Sequence, residues 1–245
     1  MSNRIAPVTI ALRIPGTWAH PRELVQKMPA GYRLTGEVMI LPDGTSVDFS
    51  AAKPDTQFAH IFRDSCRNEP TAQELATVDN YQVNVFLSGP GGSLEAAHRM
   101  MQAASALVQA GGAGVFIDNS TVAHGGQQWL KMTEDGGPDA LTFAFVAIVQ
   151  GNTDIYTMGM HPLGFRDIVM SRVDVERGGF DIVEVIRYVA ASDKPIDNHH
   201  IIADLDGPRF KVFTEESGED IQGSPMHNPY GRMKLVSLRD MAERN

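Results

Sequence analysis

Eight histidines, one cysteine and one acidic run are the groups in this 245-residue chain whose types suggest chemistry, and their spacing decides what each can do. The histidines are His20, His60, His98, His124, His161, His199, His200 and His227, and no HxH or HExxH pattern occurs among them. His199 and His200 are adjacent, so on a strand they face opposite sides. Asp197, Asp204 and Asp206 lie near His199 in sequence, but without ligand spacing the expectation is a polar edge beside a turn. No metal and no cofactor is expected. Cys66 continues the apolar pattern that starts at Phe58 and reads as a half-buried thiol, since a reactive one needs an electropositive setting. Glu215, Glu216, Glu219 and Asp220 share one hydrophilic run. Acid–base pairs need surroundings that separate their pKa values, which a solvated run does not offer; its use is to meet a basic surface and speed encounter. The loop SGPGGS fits neither GxxxxGK[ST] nor GxGxxG, so no nucleotide site is expected there.

Two segments specify backbone rather than reactive side chains: YTMGMHPLGFRDIVM from Tyr156 and HNPYGRMKL from His227. Glycine reaches positive φ freely and proline fixes φ, so such clusters shape chain reversals. Trp129, Tyr156, His161 and Tyr230 flank glycine-rich reversals, and His124 precedes Gly125-Gly126. Tyrosine and tryptophan bury much area with few rotors, which suits binding hot spots. These five, with Glu215 and Glu216, are the binding candidates; their other reading is that they plug sheet edges and steady turns.

Composition bounds the class. Hydrophobic residues make up 42% and charged residues 21%, enough for a packed core. Basic residues number 21 against 30 acidic ones, net −9, with no basic stripe, so no nucleic-acid partner is expected. The opening MSNRIAPVTIALRIPG is broken by Arg13 and Pro15 and reads as a first strand rather than a signal peptide. No apolar run reaches spanning length, so a cytoplasmic protein with no membrane partner is the expectation.

The elements that must position these residues follow from pattern. Val8–Arg13 is a strand and Pro21–Lys27 a short helix. Pro42-Asp43-Gly44 turns a hairpin between Tyr32–Leu41 and Thr45–Phe49. Helices are expected over Asp55–Arg67, with Asp55 as N-cap, and over Pro70–Val78, where Thr71 and Glu74 have capping-box spacing. The clearest unit is strand Gln82–Leu87, loop SGPGGS with Ser93 as N-cap, helix Leu94–Ala110 and strand Gly114–Asp118. That order predicts a parallel βαβ crossover. A helix over His124–Met132 follows, then a central strand over Leu141–Gln150, apolar at nearly every position. Strands over Ile155–Met160 and Arg166–Val173, a helix over Phe180–Ala191, strands over Ile201–Asp206 and Phe210–Thr214, a loop over Glu215–Pro225 and a strand over Met233–Leu238 complete the chain. The fold class is α/β (α+β): a mixed sheet with a βαβ crossover and flanking helices in one compact domain. Whether Met1–Lys53 forms a separate lobe or joins the main sheet stays open.

The order and spacing of LSGPGGSLEAAHRMMQAASALVQAGGAGVFIDNS, TMGMHPLGFRDIVM and NPYGRMKL resemble the bacterial domain-of-unknown-function family DUF4261 over roughly residues 80–235. The resemblance implies an α/β fold and a bacterial cytosolic setting, and brings no catalytic residues. SGPGGSLEAAHRM also looks like the glycine segment of Clp-type serine peptidases and the wider crotonase-like fold. That likeness implies an oxyanion loop at Gly91 and Gly92, whose amides would stabilise negative charge. It also implies a serine opening the helix after the next strand. Here that place reads VAHGGQQ, with His124 where the serine is wanted, Ser120 too early, and no further histidine before His161.

The expected function is therefore a non-catalytic protein-interaction module, an immunity or accessory protein meeting a partner with a basic surface. The alternatives are a hydrolase using Gly91-Gly92, with Ser120 or Ser88 open to an electrophilic probe, and a small-ligand binder lined by Trp129 and Tyr156.

Overall fold

The computed structural model of the chain describes residues 7–178, 181–192, 194–203, 209–218 and 222–238. Its strands form two sheets. The first contains β1 (Thr9–Gly16), β2 (Arg33–Leu34), β3 (Val38–Ile40), β4 (Ser46–Ala52), β5 (Val83–Pro90), β6 (Gly114–Ile117) and β7 (Val122–Gly125), in the order β2-β3-β4-β5-β1-β6-β7. Every pairing in it is antiparallel. The second contains β8 (Ala147–Gln150), β9 (Asp154–Met158), β10 (Asp167–Ser171), β11 (Ile201–Ala203), β12 (Arg209–Glu215) and β13 (Arg232–Ser237), in the order β11-β12-β13-β10-β9-β8. It is mixed, because β10 and β13 run parallel.

The helices are α1 (Pro21–Lys27), α2 (Phe58–Asp64), α3 (Ala72–Asp79), α4 (Leu94–Gln109), α5 (Gly126–Asp135), α6 (Pro138–Phe145), α7 (Arg172–Gly178) and α8 (Ile182–Ala191). Together with the strands they make an α+β fold. One apolar cluster runs from Ile10, Leu12 and Val85 in the first sheet through α4 to Ile168, Val212 and Leu235 in the second. No helix among the described residues is long and apolar enough to cross a membrane.

The crossover β5–α4–β6 is present, with one addition. Both β5 and β6 pair antiparallel with β1, so they are parallel to each other with β1 inserted between them. The N-terminal segment thus joins the main sheet: β1 lies near its centre and β4 pairs with β5. Ser93 caps α4 by accepting from the amide of Ala96 at 3.1 Å. The buried face of α4 is broad, taking in Met100 and Leu107 beside Ala97, Met101 and Ala104, because the helix packs on the sheet and also against α5. Thr71 and Glu74 form the capping box of α3. Asp55 is not the N-cap expected: α2 begins at Phe58 with Gln57 at the cap position, and Asp55 accepts from the Gln57 amide at 2.7 Å in the turn ahead of it.

The expected central strand over Leu141–Gln150 is the main correction. Residues Pro138–Phe145 are helix α6, and only Ala147–Gln150 is a strand, at the sheet edge. Gly136, at φ +61, closes α5, and Pro138 sits at the first turn of the next helix, where its missing N–H and fixed φ suit it. A short run apolar on all sides fits a buried helix as well as a buried strand. Likewise His124 belongs to β7, and α5 starts only at Gly126. The turn at Asp206-Gly207-Pro208, and Phe180, lie outside the described residues.

Candidate functional site

The three glycine- and proline-rich segments meet at one junction between the sheets. The Gly92 amide donates to Pro162 O at 2.9 Å, and a Cβ on Gly164 would lie 2.6 Å from Gly92 O. Gly92 and Gly164 both hold positive φ, +87 and +92, so side chains are excluded there by backbone shape as well as space. Arg166 Nε donates to Tyr230 O at 2.9 Å. The Asn228 side chain donates to Phe165 O at 3.0 Å and to Asp167 Oδ2 at 2.9 Å, while its own carbonyl accepts from the Tyr230 amide at 2.9 Å. These bonds set the register in which β10 and β13 run side by side.

Beneath the junction lies a layer of buried polar groups. Asn119, wholly enclosed, accepts from the Ala11 amide at 2.9 Å and donates to Thr9 O at 3.0 Å and Pro225 O at 3.1 Å. With both amide hydrogens so used, the His161 ring, whose Nε2 lies 3.0 Å from Pro225 O, must donate through Nε2. Its Nδ1 then meets no partner among the described residues. Burial holds this imidazole neutral, with its pKa pushed down to about 4. Asp167 accepts from Thr157 Oγ1, the Met160 amide and Asn228, yet burial outweighs these bonds and raises its pKa to about 6.

A cleft of about 390 Å³ opens above this layer, lined by Arg166, Glu215, Glu216, His227 and Tyr230. Glu215 and Glu216 are exposed at its rim, and neither makes an ion pair with a described residue. Burial raises the Tyr230 phenol above its ordinary range. The structure therefore gathers Tyr230, Glu215, Glu216 and, underneath them, His161 into one region. Glu219 and Asp220 lie outside the described residues.

His124 and Trp129 lie elsewhere and are wholly buried. The His124 Nε2 donates to Ala144 O at 2.9 Å, its Nδ1 faces the Gln128 amide at 3.4 Å, and burial pushes its pKa down to about 4. Trp129 donates to Met101 O at 3.2 Å and packs edge-on to Phe145. Neither ring offers a surface to a partner. Above them a second cleft, about 760 Å³, runs between α5, α6 and α8. Arg67 stands at its wall: its guanidinium lies 4.8 Å from the Phe143 ring centre and donates to the carbonyls of Phe143 and Val146 at the end of α6. Tyr156, half-buried on β9 between Val149 and Val169, lines neither cleft.

The parts of an acyl-transfer site do not assemble. The amides of Gly91 and Gly92 are taken by Val8 O and Pro162 O, each at 2.9 Å, so neither is free to hold an oxyanion. Ser120 is fully enclosed, and Ser88 is a ladder residue of β5. The Cys66 thiol donates to Phe62 O at 3.1 Å, and burial raises its pKa to about 11, which disfavours the thiolate. Among the described residues, no three His, Cys, Asp or Glu side chains gather in a way that could hold a metal.

Sequence reasoning missed Asn119, Arg166, Asp167 and Asn228 at the junction, and Arg67 and Phe143 at the helical cleft. Asn228 had a signal, since asparagine before proline starts turns through its own side chain. Asp167 had the weaker signal of a lone acid within the apolar run FRDIVM. Set against protein-family models, curated proteins and solved structures, the chain matches none.

Proposed function

We propose that this chain is a non-catalytic protein-interaction module, of the immunity or accessory type in a bacterial cytosol, that meets a basic partner through the acidic rim of the junction cleft. The observation that carries this reading is the pair Glu215 and Glu216, exposed and without an ion pair to any described residue beside the half-buried Tyr230. An aromatic ring with free charges around it is the composition of an interface anchor and its rim. The rim is also pre-organised, because the bonds from Arg166 and Asn228 fix the turn that carries Tyr230, and pre-organisation lowers the entropic cost of association. A net charge of −9 steers a basic partner towards it. The likeness to DUF4261 stands as part of this proposal and rests on the order and spacing of its three segments.

The test is affinity purification of the tagged protein from a native-type cell extract at low and high salt, beside the double variant Glu215→Lys/Glu216→Lys. A stoichiometric basic partner, lost in high salt and lost with the variant, is the expected result. A partner retained through both changes, or no partner at all, overturns the reading.

A further inference from the structure

We propose that the cleft between α5, α6 and α8 is a binding site for a small organic carboxylate with an apolar body. Its volume, about 760 Å³, lies within the range of roughly 300–1,000 Å³ usual for small-ligand sites. Its surface is mainly apolar. Phe143 and Ile148, 38% and 36% exposed, are among the large hydrophobic side chains the molecule leaves open, and Met132, Val146 and Ile186 lie around them.

The charges set the sign of the ligand. Five charged side chains line the cleft: Arg67, Lys131, Asp135, Asp139 and Arg187. Arg187 is paired, to Glu184 at 2.8 Å and to Asp139 at 3.6 Å. Asp135 accepts from the Gly137 amide at 3.0 Å. Arg67 and Lys131 make no ion pair with any described residue. Asp135 also lacks an ion pair with a described residue, and the three cations outnumber the two carboxylates by one, in a chain that is strongly negative overall.

Arg67 is the better anchor. Capping the end of α6 uses one hydrogen on each of its two terminal nitrogens, which leaves Nε–H and one more hydrogen on each terminal nitrogen. Those form the side-on fork that a carboxylate accepts in two parallel bonds. Desolvation already lowers the Arg67 pKa, so a counter-ion placed there gains more than at an exposed cation. The Phe143 ring under the guanidinium gives a flat apolar surface continuous with that fork. Asp135 and Asp139 work against a dianion, which selects a carboxylate over a phosphate monoester.

Calorimetric titration with decanoate and 1-naphthoate, alongside 1-decanol, naphthalene-1-methanol and decyl phosphate, tests this directly. The carboxylates are expected to bind at least tenfold tighter than the matched alcohols and tighter than the phosphate. Arg67→Gln should weaken decanoate at least tenfold, and Lys131→Glu several-fold. Because Arg67 also caps α6, Ile148→Glu at the exposed rim serves as a second variant; it should weaken decanoate at least tenfold while the circular dichroism melt stays in place. Alcohols binding as well as acids, unchanged affinity in folded Lys131→Glu and Ile148→Glu, or no binding of either acid at millimolar concentration would each overturn the proposal.

Discussion

At the loop junction, Asn119, Asp167 and Asn228 bind one another's segments and the backbone beneath a cleft whose exposed rim carries Glu215 and Glu216. At the helical cleft the layer beneath is packed from rings and chain, with Trp129 against both His124 and Phe145, and Arg67 and Lys131 line the cleft without an ion pair to a described residue. The junction is thus rigid because polar groups are tied down, and the helical cleft is shaped because apolar groups are packed. The contrast teaches where each region can be altered. Buried hydrogen bonds are costly to leave half-made, while an apolar floor responds mainly to lost volume.

The largest effect expected separates the two aromatic candidates, Trp129 and Tyr230. Trp129→Ala should cost about 3–5 kcal/mol, the usual range for a fully buried large side chain. Tyr230→Ala, at a half-buried position, should cost only about 1 kcal/mol. Urea unfolding of both variants reads the difference. Equal losses would mean that Tyr230 is a core residue and that the junction cleft has no free anchor.

That difference also marks how far the sequence reached. The elements with local chemistry were legible: the capping box at Thr71 and Glu74, the Ser93 cap, and the turns that end α4. Glycine and proline positions were legible as reversals, because they act through backbone shape. What pairs with those reversals was not legible. Asn119 reaches Pro225 across 106 residues, and Asn228 reaches Asp167 across 61, and no local pattern encodes such distances. The insertion of β1 between β5 and β6 is hidden for the same reason. Trp129 and His124 looked like site residues because glycine sits beside them. Their burial is decided by α4 and α6, which pack over them from elsewhere in the chain.

Titration sharpens the contrast at somewhat smaller size. His124 and His161 each sit at about 4, against an ordinary 6.5, because burial penalises the charged ring. Each contributes stability that is complete above pH 6.5 and lost as pH falls through 4, roughly 3 kcal/mol apiece. Asp167 runs the other way: raised from 3.8 to about 6 by burial, its contribution is complete below pH 3.8 and lost as pH rises through 6. Acidification therefore restores roughly 3 kcal/mol at Asp167, which offsets His161 at the junction. Nothing offsets His124 beneath the helical cleft. Unfolding at pH 7, 5.5 and 4 should show His124→Gln losing about 3 kcal/mol less than the unaltered chain over that span, and Asp167→Asn losing about 2 kcal/mol more. By the same reasoning His161→Gln removes an equal acid loss, so an unchanged pH profile in His124→Gln would place that loss away from the floor of the helical cleft.

Asn228→Ala tests the junction without a change of charge. It removes the bonds to Phe165 O and Asp167 and frees the Tyr230 amide, for an expected loss of about 2 kcal/mol. Phe143→Ser, on the partly exposed face of the helical cleft, should cost about 1 kcal/mol or less. Thermal unfolding of the pair decides whether polar ties or apolar packing is the more demanding of the two designs.

The smallest effect expected is the one that isolates binding from folding. Glu215→Lys/Glu216→Lys should leave the unfolding free energy within about 0.5 kcal/mol, because exposed charges with no ion pair among the described residues hold little together. If so, a lost partner in the double variant reports on the surface and not on the fold. A stability loss above about 1 kcal/mol would instead make these carboxylates part of the junction's own bonding. The acidic rim would then resemble the layer beneath it, and the contrast in charge between the two clefts would rest on Arg67 and Lys131.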